Sequence, residues 1–168
     1  GNFMPATHLY HPLNTLKPIS KNIWIADGDE IRMRFPLGIK IPFSTRMTIV
    51  RLLDGSLWCH SPIAPTPKLL AQINALGEVH HLVSPNKIHY AHIAAWQAHY
   101  PQARAWASAG VRERAAKQGI AVSFTADLGD DAPSVWAHDL AQMPFAGSRV
   151  MTETVFFHHA SRTLILTD

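Results

Sequence analysis

The chain has 168 residues, 47% hydrophobic and 16% charged, which fits one globular domain with a sizeable core. Fifteen Lys and Arg against twelve Asp and Glu leave a formal charge of +3, and these cations are scattered, without the basic stripe of a nucleic-acid binder. One cysteine, Cys59, excludes an intramolecular disulfide and suits a cytoplasmic setting, while no apolar run reaches the ~18 residues of a membrane span and no secretion signal is visible.

Residues 1–21, rich in Pro and Asn, are expected to form an extended N-terminal arm. "NIWIADG", Asn22 to Gly28, predicts a short strand closed by a turn. "IRMRFPLGIKIPF" alternates apolar and charged positions as a half-exposed hairpin does, with "PLG" as its bend. The clearest local signal is "RMTIVRLLDGSLWCHSP", where two apolar runs flank Asp54-Gly55, a dipeptide that readily supplies the positive φ angles of a tight hairpin. Pro67 then opens a helix in which Leu69, Leu70, Ile73 and Leu76 share one face before Gly77 stops it.

"VHHLVS" predicts a buried strand, and "IHYAHIAAWQAHY" a helix ending before Pro101. "ARAWAS" is a further strand, Ser108 to Gly119 a further capped helix, and "IAVSF" the strand after it. "VWAHDLAQM" reads as strand or helical turn, and "TETVFFHHASRTLILTD" as a closing hairpin around "HHASR". Strands first, strand–helix alternation next and a hairpin last predict helices packed on one face of a sheet. No strand runs into a G-x-G-x-x-G turn, which argues against a dinucleotide-binding unit.

Three stretches, "TIVRLLDGSLWCHSP", "HLVSPNKIHYAHIAAW" and "FFHHASRTLILTD", together resemble the metallo-β-lactamase superfamily, and within it a divergent branch known as a domain of unknown function. The likeness runs from about residue 14 to the last residue, so 1–168 is read as a single domain of this type. It implies an α+β fold, a four-layer αββα sandwich with any site at one edge, and further strands and a helix beyond Asp168. Where the superfamily ordinarily has an Asp-Thr-Gly-like turn, this chain has Cys59-His60-Ser61-Pro62. The superfamily's T-H-x-H-x-D-H motif, laid on "SPNKIHY", puts Ser84 in the Thr place and Pro85 and Lys87 in two His places. His89 then takes the Asp position and Tyr90 the last His, while Asp168 matches a bridging Asp. Proline has no ligand atom and a lysine ammonium carries the wrong charge, so the ordinary dinuclear zinc site cannot form from these positions.

By the same resemblance His60, His89 and Asp168 share one edge, where they would suit a single Zn²⁺ or another divalent transition metal. The alternative is that His60 and His89 are structural, a strand-end side chain and a helix cap. Ser84, Asn86 and Lys87 would lie nearest a small-molecule substrate, and no catalytic residue is singled out. Two functions follow: a metal-dependent hydrolase with an altered metal site, or a non-catalytic scaffold binding a small molecule or protein partner. Neither nucleic acid nor membrane is an expected partner; a homodimer through the edge strand "TLILTD" is a further option.

Other residues read as structural. Adjacent His80 and His81 point to opposite faces of a strand and cannot readily share an ion. His158 and His159 are expected in a solvated bend, and Cys59 in the core. Ser61 and Ser84 precede prolines and shape turns, since no G-x-S-x-G elbow is present. Arg34, Lys40 and Arg46 form either a solvated hairpin face or a cationic wall for an anionic ligand.

Overall fold

The structure, a computed structural model, describes residues 10–34, 36–86, 90, 92–120, 122–146 and 152–167. Its larger sheet has seven strands in chain order: β1 (Lys17–Ser20), β2 (Ile23–Arg34), β3 (Lys40–Arg51), β4 (Leu57–His60), β5 (Val79–Ser84), β6 (Arg104–Ala107) and β7 (Ala126–Asp127). Tight connections make β1 to β4 antiparallel. From β4 onward each crossover is long enough to return the chain in the same direction, and the pairs are parallel. The bend at Pro36–Gly38 joins β2 to β3, as "PLG" predicts. At the next turn Gly55 has φ 86°, and the Asp54 carboxylate accepts bonds from Ser56 N at 2.9 Å and Ser56 Oγ at 2.6 Å. Those bonds hold the Asp54 carboxyl below its usual pKa.

Helices α1 (Pro67–Leu76), α2 (Ile93–His99) and α3 (Val111–Lys117) fill the crossovers. The Thr66 hydroxyl accepts from Leu69 N at 3.2 Å, and Pro67 sits in the first turn, so α1 starts where its capping chemistry says it should. Gly77 ends it by a different means than a left-handed cap. Its φ is 161°, ordinary extended backbone, but a Cβ there would lie 2.6 Å from the Gly55 carbonyl oxygen. The helix end and the Asp54-Gly55 turn are packed backbone to backbone.

A second sheet, ordered β10-β9-β8, comprises β8 (Leu140–Ala146), β9 (Thr152–His158) and β10 (Thr163–Ile165). Alternation along the strands divides the core in two. Leu57, Cys59, Leu82 and Ala105 face the helices and pack with Leu69, Ile73, Ile93 and Trp96. Trp58, Val83 and Trp106 face the second sheet and pack with Trp136, Leu140 and Phe156. Helices, first sheet and second sheet are three layers of the expected αββα sandwich. Burial raises the Cys59 thiol well above its ordinary pKa, as a core cysteine requires. Among the described residues no helix is long and apolar enough to cross a membrane.

Several expectations are corrected. The "arm" ends in β1, paired with β2; residues 1–9 lie outside the described residues. β2 does not stop at Gly28 but continues past an irregularity to Arg34. α2 begins only at Ile93, and α3 begins after a left-handed Gly110 with no Ser108 side-chain cap. "IAVSF" is not a strand over its described residues. Gln97 claims the backbone there, its amide donating to Ser123 O at 2.6 Å while its oxygen accepts from Ser123 N at 3.0 Å. Sheet pairing resumes only at Ala126.

Candidate functional site

Because β4, β5 and β6 are parallel, their C-terminal ends meet at one edge, the usual place for a ligand in such a sheet. His60, Ser84 and Ala107 end these strands. Ser61 N donates to Val83 O at 2.9 Å and Ser108 N to Ser84 O at 3.1 Å, so the ladder carries one step into the loops. Ser61 has φ 55°, the left-handed bend that turns the chain off the sheet.

His60 lies under this rim rather than on it. It follows Trp58 by two positions and so faces the second sheet. Its ring stacks on Trp58 with centroids 5.5 Å apart and interplanar angle 24°, and meets the edge of Phe156 at 5.5 Å and 85°. Only 1% of the residue is exposed. Ser84 is fully buried, and its hydroxyl has no hydrogen-bond partner among the described residues. It contributes backbone to the rim, with its side chain shut off from solvent.

The loop after β5 is stitched to the second sheet. Pro85 O accepts from Thr154 N at 2.8 Å. Asn86 is 1% exposed, and its amide donates to Thr167 Oγ1 at 3.1 Å. The Thr167 hydroxyl in turn donates to Glu153 Oε2 at 2.7 Å. No motif or spacing in the sequence singles out Glu153 or Thr167. Asn86 and Thr167 are 81 residues apart, so no local pattern announces the network.

Tyr90, where the resemblance expects a histidine, is fully buried with Ala107, Val111 and Ala115. Burial raises its phenol, with nearby Arg114 acting the other way. That position now anchors α3 to the sheet. His92 flanks α2, and burial lowers its pKa. Lys87, His89 and Asp168 lie outside the described residues. Among the described residues no group of three or more His, Cys, Asp or Glu side chains is placed to hold a metal ion. Pro85 offers no donor atom and Tyr90 is in the core, so these two positions do not fit the two-zinc centre.

The other histidines divide as follows. His80 is exposed and His81 buried, as alternation requires. Trp106 Nε1 donates to His81 Nδ1 at 3.2 Å, which needs an unprotonated acceptor, and burial lowers the His81 pKa to about 4. His158, expected in solvent, is instead 4% exposed, its Nδ1 2.7 Å from Ser161 Oγ. It is the last residue of β9 and pairs with both Leu140 and Thr163, so it is enclosed by strands on either side.

A family profile described as "Domain of unknown function (DUF4336)" matches residues 35–168. No curated protein matches the chain in sequence. Among solved structures, the metallo-β-lactamase DIM-1 superposes with TM-score 0.65 at 13% identity, over 94% of this chain and 69% of that one. TMB-1 gives TM-score 0.62 at 17% identity, over 89% and 67% of the two chains. A metallo-β-lactamase from Pontibacter korlensis gives 0.61 at 15%, over 94% and 70%. At these identities the likeness is one of fold: the chain has the metallo-β-lactamase fold, over about two thirds of the length of those proteins.

Proposed function

The chain belongs to the DUF4336 family, and we propose that it uses the metallo-β-lactamase fold as a binding scaffold for a small molecule, without the two-zinc hydrolytic centre. The observation that carries this reading is the loop after β5. Where the resemblance puts coordinating histidines, this chain has Pro85, Lys87 and a buried Tyr90. Fold alone does not fix function, and here the fold persists while the chemistry at its edge has changed. The test is thermal unfolding with added Zn²⁺ or with chelator, together with turnover of a panel of phosphoesters, lactones and thioesters. The reading expects a midpoint unchanged within about 1 °C and no turnover above background. Turnover abolished by His89→Ala would overturn it.

A second reading is a metal-dependent hydrolase with one altered site, its ligands His60, His89 and Asp168. It is favoured by one observation: Thr167, the residue before Asp168, is bonded to Asn86 on the loop beside the end of β4. On this reading His60→Ala lowers zinc affinity at least about tenfold, whereas His80→Ala, at an exposed position, leaves it unchanged.

A further inference from the structure

The second sheet is narrower than the first. β10 is its edge strand, and among the described residues it borders the inner faces of β1, β2 and β3. A groove of about 510 Å³ runs between them, within the size range of small-molecule sites. Its walls change character along the strands. Ile23 and Ile25 on β2, with Ile19 on β1, face Leu164 and Leu166 at or just past β10. Two residues further along β2 the wall becomes polar, at Asp27 opposite Arg46 of β3.

The charges there are arranged unequally. Asp27, with its side chain 4% exposed, has both oxygens committed: Arg46 Nε donates to Oδ1 at 2.7 Å and Lys17 Nζ to Oδ2 at 2.9 Å. Two cations on one carboxylate leave a net charge of +1. The Arg46 side chain is 43% exposed and uses Nε on Asp27, so among the described residues its two terminal nitrogens remain to donate. Its guanidinium lies over the Tyr10 ring at 5.0 Å, which fixes its plane. Ser44 and Thr48, on either side of Arg46 along the same strand face, add hydroxyls to this end.

We propose that this groove binds an amphipathic carboxylate, its head on the Arg46 guanidinium and its aliphatic body along Ile25, Ile23 and Leu164. A fixed guanidinium with a free fork suits a carboxylate better than a point charge would. The distance from Asp27 to Ile23 along an extended strand, roughly 13 Å, suits a medium-length chain. An uncharged alkane or alcohol would leave the net positive charge unanswered, and a cation would meet it with repulsion. The groove adjoins the rim network at Thr167, but its charged end, at Arg46 on β3, lies outside that network.

Calorimetric titration of the full chain with decanoate below its micelle range, and separately with decanol, tests the proposal. The expected result is one decanoate per chain, weakened at least about tenfold by Arg46→Gln, with weaker decanol binding indifferent to that change. Arg46→Gln also breaks the pair with Asp27, so Leu164→Asp serves as a second variant. It leaves all three charged residues in place, adds a negative charge beside the apolar wall, and should weaken both ligands. Absence of decanoate binding at millimolar concentration, equal affinity for decanoate and decanol, or indifference to both variants would overturn the proposal. So would light scattering that shows a dimer undiminished by decanoate, because the groove would then be closed by a second copy of the chain.

Discussion

The inner face of the large sheet has two halves, and they obey different rules. Over β4, β5 and β6 the second sheet covers it, and the contents are aromatic: Trp58, Trp106, Trp136 and Phe156 meet edge to face at centroid distances of 4.6–6.1 Å. Over β1, β2 and β3 the described part of the second sheet ends at β10, and the same face carries Ile25, Asp27, Arg46 and Thr48 around a groove. Neighbouring strands of one sheet have thus been given opposite chemistry by what lies opposite them. In the covered half, a polar group survives only if it is neutral or paired; His81 is unprotonated and bonded to Trp106. In the open half charge is tolerated, because Lys17 and Arg46 keep contact with water while gripping a buried carboxylate. His60 sits on the boundary, paired with Thr48 of the open half and packed on Trp58 of the covered one.

If that division is real, truncation in the covered half should be the most damaging change. Trp136→Ala removes a fully buried ring that touches Trp58, Trp106 and His81, and should cost about 3–5 kcal/mol in chemical denaturation. Acid probes the same half without mutation. The pKa of His81 is lowered on folding from 6.5 to about 4, so the unfolded chain takes up the proton first. Its contribution is fully present above pH 6.5 and is lost as pH falls toward 4, by roughly 3 kcal/mol at the lower limit. In His81→Gln this component of the acid dependence should disappear from the stability profile. Asp27→Ala tests the open half at its most organised point. It leaves Lys17 and Arg46 unpaired but still hydrated, and should cost about 1–3 kcal/mol. The smallest effect belongs to Leu164→Ser, at a side chain already 57% exposed, with a change within about 0.5 kcal/mol. A cost at Leu164 equal to that at Trp136 would erase the distinction between the halves.

What could be read from the sequence was local. Asp54-Gly55, Thr66-Pro67 and the apolar face of α1 are signals carried by adjacent residues, and each element forms where those signals place it. "IAVSF" misled because the partner of Ser123 is a glutamine on another helix, and propensity contains no record of it. The site divided in the same way. That Pro85 cannot coordinate a metal follows from its identity alone. That His60 would be enclosed by Phe156, and that Asn86, Thr167 and Glu153 would join across the rim, depends on the second sheet arriving from the far end of the chain. The Lys17–Asp27–Arg46 triad was partly visible, since Arg46 stood among candidate cations, but its buried carboxylate was not.

The metallo-β-lactamase fold persists here with Pro85, Lys87 and Tyr90 where the resemblance puts zinc ligands, and the proposed reading is that no tightly held zinc remains. Elemental analysis of the protein, purified without chelator and dialysed after incubation with excess Zn²⁺, tests it most directly. Below about a tenth of an equivalent of tightly held zinc is the predicted result. One or two equivalents retained per chain, and lost in His60→Ala, would contradict it.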